Sequence, residues 1–359
     1  MNMIGLAERS WIPDGMIRLG IRRMLTARLR QESVTSADVD RSKRFAELLR
    51  RGPVAVAAEQ ANSQHYEVPS EFFEAMLGPR LKYSSCLYPN ETTTLAKAEE
   101  EMLDLACRRA EIEDGMDLLD LGCGWGSLSL WIAEHYPQCR ITAISNSTGQ
   151  RRFIEARCRD RGFGNVRVVT ANIAEVTEAG PFDRILSVEM LEHMRNYEVL
   201  FARFARWLRP AGKMFAHVFC HRELGYTFET DDDSDWMARH FFTGGVMPSF
   251  DLFSQFNGDL ALRRSWQVDG RHYARTCEHW LANLDANRER IVRLFEAQHG
   301  STQAKVVTQR WRIFLMSCAE LFGFRNGSEW MVGHYLFEPT TKAVRGTGLP
   351  EAVAAGSGT

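Results

Sequence analysis

The chain has 359 residues, with 44 lysines and arginines against 46 aspartates and glutamates, for a formal net charge of -2. That length exceeds what one small core needs, and a near-neutral balance excludes a global attraction to nucleic acid. The eight cysteines are scattered without a C-x-x-C pair, which argues against zinc and thioredoxin-like chemistry; no metal is expected, and no apolar run reaches membrane-spanning length. Unpaired cysteines with no signal peptide fit a reducing compartment, so the expected location is cytoplasmic.

Residues 11–32 predict a basic amphipathic helix, with Ile17, Ile21, Met24, Leu25 and Leu29 at helical spacing among Arg18, Arg22, Arg23, Arg28 and Arg30. Such a helix can lie on a membrane surface. Acids follow at Glu32, Asp38 and Asp40, which favours a peripheral helix packed on its own domain with a solvated arginine face. Residues 33–58 read as polar and helical. Residues 59–90 carry Gln64-His65-Tyr66, Phe72-Phe73 and Leu81-Lys82-Tyr83-Ser84-Ser85, broken by Pro69 and Gly78-Pro79, a composition suited to a lid. A helix over 92–111 leads to the main motif.

Leu118-Leu-Asp-Leu-Gly-Cys-Gly-Trp-Gly126 reads as a buried strand with one acid, Asp120, running into Gly122, Gly124 and Gly126. A helix over 127–136 follows. The spacing is G-x-G-x-G, and Ser127 stands where the dinucleotide fingerprint needs its third glycine, so pyrophosphate is disfavoured. A glycine turn behind an acidic strand end suits S-adenosylmethionine, whose amino acid end carries an ammonium and a carboxylate. Strands are expected at 140–145, 166–169, 183–188, 213–219, 260–268 and 330–337. Helices are expected at 150–161, 199–208, 272–294 and 305–322. This alternation predicts an α/β, Rossmann-like, doubly wound and mostly parallel seven-stranded sheet, with ligands beyond the carboxyl ends of its strands. Asp120, Ser145, Asn146, Asn172 and the stretch Glu189 to His193 then surround one crevice. Ser145-Asn146 takes the place where an acid often grips a ribose, and Asn172 is placed to read an adenine edge. As isolated polar residues, each of these is more often a turn former than a ligand.

Residues 222–258 interrupt the alternation as an insertion. Their acidic run, 229–235, can draw a cationic substrate or be a solvated loop. Glu189-Met-Leu-Glu192-His193 follows the fourth strand, where a transferred group would arrive. A carboxylate can hold an ammonium and an imidazole can accept its proton, since an amine attacks only as its free base. The structural alternative is that Glu192 caps the next helix and His193 packs against its neighbours.

The chain resembles the cyclopropane-fatty-acid synthase superfamily of S-adenosylmethionine-dependent enzymes, and within it the coclaurine-type N-methyltransferase branch. The resemblance runs from about residue 11 to 338 and rests on Gln64-His65-Tyr66, Leu81-Lys82-Tyr83-Ser84, Asp120 to Gly126, Leu191-Glu-His-Met-Arg-Asn-Tyr197, Phe219-Cys220-His221, His272-Tyr-Ala-Arg-Thr276 and Glu329-Trp330-Met331. It implies a cofactor site of Tyr83, Ser84, Asp120, Gly122, Gly124, Gly126, Ser145, Asn146, Gln150, Asn172 and Ile173. It also implies Glu192 and His193 as a catalytic pair with Glu189 beside them. The implied substrate pocket draws on His65, Tyr66, His217, Phe219, Tyr273, Trp330 and Phe337. The lipid-modifying branch holds a bicarbonate base partly with a cysteine in a Tyr-Ser-Cys string; here Tyr83-Ser84-Ser85 departs from it, and Phe219 replaces an isoleucine.

The leading expectation is a small-molecule N-methyltransferase acting on an amine. Lipid methylation or cyclopropanation, and a non-enzymatic cofactor-binding scaffold, are the alternatives. A membrane surface is the lesser-favoured partner, and a homodimer is allowed. The expected layout is an N-terminal helical extension (1–58), a cap and cofactor lid (59–111), a core (112–338) with its insertion, and a disordered tail (339–359).

Overall fold

The computed structural model describes residues 3–34, 41–56, 68–228 and 236–341. His65, Tyr66, the acidic run 229–235 and the tail from 342 lie outside the described residues. The centre is a seven-stranded sheet: β1 Asp117–Leu121, β2 Arg140–Ser145, β3 Val166–Thr170, β4 Phe182–Val188, β5 Leu208–His221, β6 Leu260–Val268 and β7 Trp330–Pro339. The order is β3-β2-β1-β4-β5-β7-β6, parallel except for β7, which runs antiparallel between β5 and β6. Leu118, Leu119 and Leu121 are all buried, as a parallel strand covered on both faces requires.

The winding reverses between β1 and β4, which opens a crevice beyond their carboxyl ends. Helices flank the sheet: α1 Asp14–Val34, α2 Leu95–Arg109, α3 Ser127–His135, α4 Thr148–Arg161, α5 Tyr197–Trp207, α6 Gly270–Ala286, α7 Arg288–His299 and α8 Ser301–Gly323. The helix expected over 272–294 is two. It breaks at Asn287, whose amide nitrogen donates to the carbonyls of Ala75 and Asn283 and so fixes the turn.

β5 and β7 alternate in the way a pleat demands. Phe215, His217, Phe219 and His221 lie opposite Leu336, His334, Val332 and Trp330. Met214, Ala216, Val218, Tyr335 and Phe337 turn to the other face, into the core against α5.

Helix α1 packs its Ile17 and Leu29 stripe on the protein's own helices. Its arginine face is only partly solvated. Arg18 pairs with Glu278 on α6 (2.6 Å) and Glu320 on α8 (3.1 Å), and Arg22 with Glu320 (2.9 Å). Arg312 joins Asp14 and Asp285 across the same seam. Trp11, Met16, Leu19 and Met24 are exposed instead. No helix among the described residues is long and apolar enough to cross a membrane.

Candidate active site

The glycine turn leaves β1 with φ +75° at Gly122, +53° at Gly124 and +81° at Gly126. The N–H groups of Gly122 and Cys123 both donate to the carbonyl of Ile144 at 3.0 Å, binding the turn to the end of β2. A Cβ at Gly122 would lie 2.7 Å from Met190 Cγ, so that residue admits no side chain. A Cβ at Gly124 would meet nothing within 4 Å; its backbone faces open crevice. Asp120 is buried on β1, accepting from Ser129 Oγ at 2.7 Å, and burial pushes its carboxyl up to about 6.

Two lobes meet at this turn and share Gly122, Gly124, Gln150 and His193. One is lined by Ser145, Asn146, Asn172 and Ile173. Ser145 Oγ donates to Gln150 Oε1 at 2.7 Å. The Asn172 amide is engaged in its own turn, donating to Glu175 and accepting from the Ala174 N–H. The other lobe is lined by Tyr83, Ser84, Asp120, Glu189, His217, Phe219 and Tyr273, and is closed by aromatic and methionine side chains including Phe228, Met237, Phe242, Trp280 and Phe322. Phe228, Met237 and Phe242 belong to the insertion.

Glu189 follows β4 in the left-handed region, at φ +47°. Its Oε1 accepts from the Ser85 N–H at 3.0 Å and lies 3.1 Å from His217 Nε2; its Oε2 accepts from the Tyr273 hydroxyl at 2.5 Å. Burial pushes the Glu189 carboxyl up, against the opposing pull of Lys82 and the Tyr273 hydroxyl. Lys82 is itself buried, donating to Ser84 Oγ and the Ser85 carbonyl, and burial pulls its ammonium down. Ser85 thus reaches Glu189 through its main chain, while its hydroxyl turns to the Cys86 carbonyl at 3.3 Å.

Several expected residues stand elsewhere. Glu192 lines neither lobe. It is wholly buried behind the wall, with Oε1 accepting from the Phe219 N–H at 2.7 Å and Oε2 without a hydrogen-bond partner among the described residues. Burial, and then Glu189, push its carboxyl well up. His193 lies at the junction of the lobes, its ring 4.7 Å from that of Phe242. Trp330 is on the cavity face of β7 but is buried against Tyr226, His221 and Phe324, outside the lobes. Phe337 is on the wrong face, packed against Phe201 and Phe253. It lies seven positions from Trp330, an odd step, so the pleat turns the two apart.

The same counting would have found a residue that sequence reasoning missed: His334, an even step from Trp330, buried with Nε2 2.9 Å from His217 Nδ1. Trp280 and Phe322 were also missed. Their signal was the helical spacing of 273, 277 and 280 on α6 and of 314, 318, 321 and 322 on α8.

A crevice with one lobe of neutral hydrogen-bonding groups and another ending at buried carboxylates suits a nucleoside joined to an amino acid. The chain is a class I S-adenosylmethionine-dependent methyltransferase, and its residues fit that cofactor: Gly124 offers open backbone, and Ser127 Oγ is buried at the turn without a hydrogen-bond partner among the described residues. Residues 55–330 match the mycolic acid cyclopropane synthetase family, and the chain belongs to it. It is 39% identical over 344 residues to an (S)-coclaurine N-methyltransferase of Thalictrum flavum subsp. glaucum, covering 94% of this chain and 95% of that protein. It is similar, with a TM-score of 0.90 and 38% identity over 94% of this chain and 98% of the other, to a crystal structure of coclaurine N-methyltransferase bound to N-methylheliamine and SAH. The cyclopropane-fatty-acyl-phospholipid synthase of Escherichia coli (strain K12) is 28% identical over 272 residues, 75% of this chain and 66% of that protein.

Proposed function

We propose that the protein methylates the nitrogen of a small amine and that Glu189 is the carboxylate that seats it. The observation that carries this reading is the set of donors around Glu189, in a cavity whose wall includes the rings of Phe219, Phe228, Phe242, Trp280 and Phe322. A carboxylate so oriented attracts an ammonium, and a dry aromatic wall both strengthens that attraction and stacks on the rest of the molecule. His193, between the lobes, is assigned the proton that the nitrogen must lose before it attacks. Glu192 is assigned a positioning role: its bond to the Phe219 N–H ties the His193 loop to β5.

S-adenosylmethionine, when bound, supplies the electrophilic methyl group. Tyr83, Ser84, Asp120, Gly122, Gly124, Gly126 and Gln150 would hold its amino acid end. Ser145, Asn146, Asn172 and Ile173 would hold its nucleoside end. The segment before α2 would serve as the cofactor lid and residues 222–258 as the substrate lid. Alignment in a water-poor cavity is the main service methyl transfer asks of a protein.

The test is mass-spectrometric product detection with S-adenosylmethionine, a panel of aromatic and aliphatic amines and a matched set of unsaturated phospholipids. One methyl gained on an amine nitrogen is expected. A methylene gained on lipid chains, with no amine product, would overturn the assignment.

A further inference from the structure

Arg109 ends α2 outside the cavity, its guanidinium 4.9 Å over the ring of Trp266. Its NH1 lies 2.8 Å from His334 Nδ1, His334 Nε2 lies 2.9 Å from His217 Nδ1, and His217 Nε2 lies 3.1 Å from Glu189 Oε1. These four residues come from α2, β7, β5 and the end of β4, and they form one unbroken line into the catalytic cavity.

The direction of every bond in that line follows from its outer end. A guanidinium only donates, so His334 Nδ1 presents its lone pair. A neutral imidazole has one N–H, so His334 carries it at Nε2 and donates to His217. His217 then accepts at Nδ1 and carries its own N–H at Nε2, aimed at Glu189. A second proton on His217 would set two N–H groups against each other at its bond to His334. A second proton on His334 would do the same at Arg109. Both rings are therefore held neutral, and burial independently pulls both below the ordinary histidine value.

We propose that Arg109 and His334 are positioning residues for the reaction: they lock His217 in its Nε2–H tautomer, which gives Glu189 a third donor and presents it to the amine as a carboxylate. The proposal rests on the assignment of Glu189 as the amine's seat. With the opposite tautomer, the Nε2 lone pair of His217 would face Glu189 Oε1, two acceptors at hydrogen-bond distance, and Glu189 would keep a proton to relieve them. The other titratable groups around Glu189 are Lys82 and Cys86 on the segment before α2, Glu192 on its own loop, and Tyr273 and Cys277 on α6. His193 stands at the cavity wall. Because Arg109 cannot accept a proton, this line conducts none outward, and the amine's proton leaves by another route.

The experiment uses the full chain labelled with 15N-histidine. Long-range proton–nitrogen spectra read each tautomer directly, His217→Phe assigns the His217 signals, and the pH dependence of kcat/KM is measured in parallel on an amine that the wild type methylates. The wild type should show His217 as Nε2–H. Arg109→Met and His334→Leu should give mixed or Nδ1–H signals, an acid limb displaced upward by about one pH unit, and about a tenfold loss of kcat/KM at neutral pH. His334→Gln should restore both readouts, because its amide oxygen accepts from Arg109 and its NH2 donates to His217. Arg109→Gln should likewise outperform Arg109→Met, since it keeps an N–H while losing the charge and the stacking on Trp266.

A wild-type tautomer pattern in Arg109→Met would overturn the proposal, as would equal damage from the Gln and apolar replacements. A changed tautomer with an unmoved pH profile would overturn the positioning role. Failure of the Glu189 assignment would appear separately, as full turnover by Glu189→Gln with the wild-type His217 tautomer intact.

Discussion

Beyond β1 and β2 the crevice is walled by residues near one another in the chain: Asp120, the glycine turn, Ser145 and Gln150, held by main-chain bonds to Ile144 and short polar contacts. Beyond β4 and β5 the wall is assembled from Glu189, His217 and Tyr273, with the Ser85 N–H bonded to Glu189 and His334 standing behind His217, a set that the topology gathers from distant segments around one carboxylate. The first arrangement is a local backbone device, and it asks little of the side chains around it. The second depends on where several separate elements pack, and small shifts in any of them change the environment of Glu189. Cofactor affinity and amine selectivity should therefore fail independently.

Four substitutions test that separation. Glu189→Gln should give the largest effect, lowering kcat/KM about a thousandfold, the equivalent of about 4 kcal/mol for unpairing a buried charge, while calorimetric affinity for S-adenosylhomocysteine stays unchanged. Loss of both together would break the comparison. Gly124→Ala should do the reverse. Its Cβ enters the crevice from a left-handed conformation that costs about 1–2 kcal/mol, and affinity for S-adenosylhomocysteine should fall about tenfold with little change in selectivity among amines.

Asp120→Asn sharpens the comparison through pH. Burial lifts Asp120 from 3.8 to about 6 in the folded protein. A carboxyl raised on folding holds its proton better folded than unfolded, so its stabilising contribution is complete below its unfolded value and fades as pH climbs through the folded one. Thermal melts of the cofactor-free proteins from pH 4 to 7 should show Asp120→Asn gaining on the wild type by a few degrees. A constant gap would exclude a buried carboxyl that resists ionisation. Phe337→Leu should have the smallest effect on activity, within twofold in kcat/KM, while costing about 1 kcal/mol in a denaturant melt, because its ring faces Phe201 and Phe253 across the sheet from the cavity.

The same contrast governs what the residues reveal before any folding. β2 and β6 were legible to their ends, because apolar spacing and turn residues mark them. The glycine turn was legible because its geometry is local. The break at Asn287 was not: the apolar spacing continues through it, and the bonds that stop the helix come partly from Ala75, far back in the chain. Glu192 and Glu189 look equivalent in the string Glu189-Met-Leu-Glu192-His193, and only the turn after β4 decides that Glu189 faces the cavity and Glu192 the Phe219 N–H. Strand parity could have rejected Phe337 and raised His334. It could not have supplied Arg109, which reaches His334 from another layer.

Glu189 sits at a φ of +47°, where a side chain is uncomfortable and glycine is not. On the role proposed for Glu189, selection for folding and selection for turnover pull in opposite directions at this one position. A search for more robust variants, guided by melting temperature alone, would be drawn to replace Glu189 with glycine and would reward the loss of the reaction. On the same role, a relative with glycine at 189 should bind S-adenosylhomocysteine yet turn over no amine.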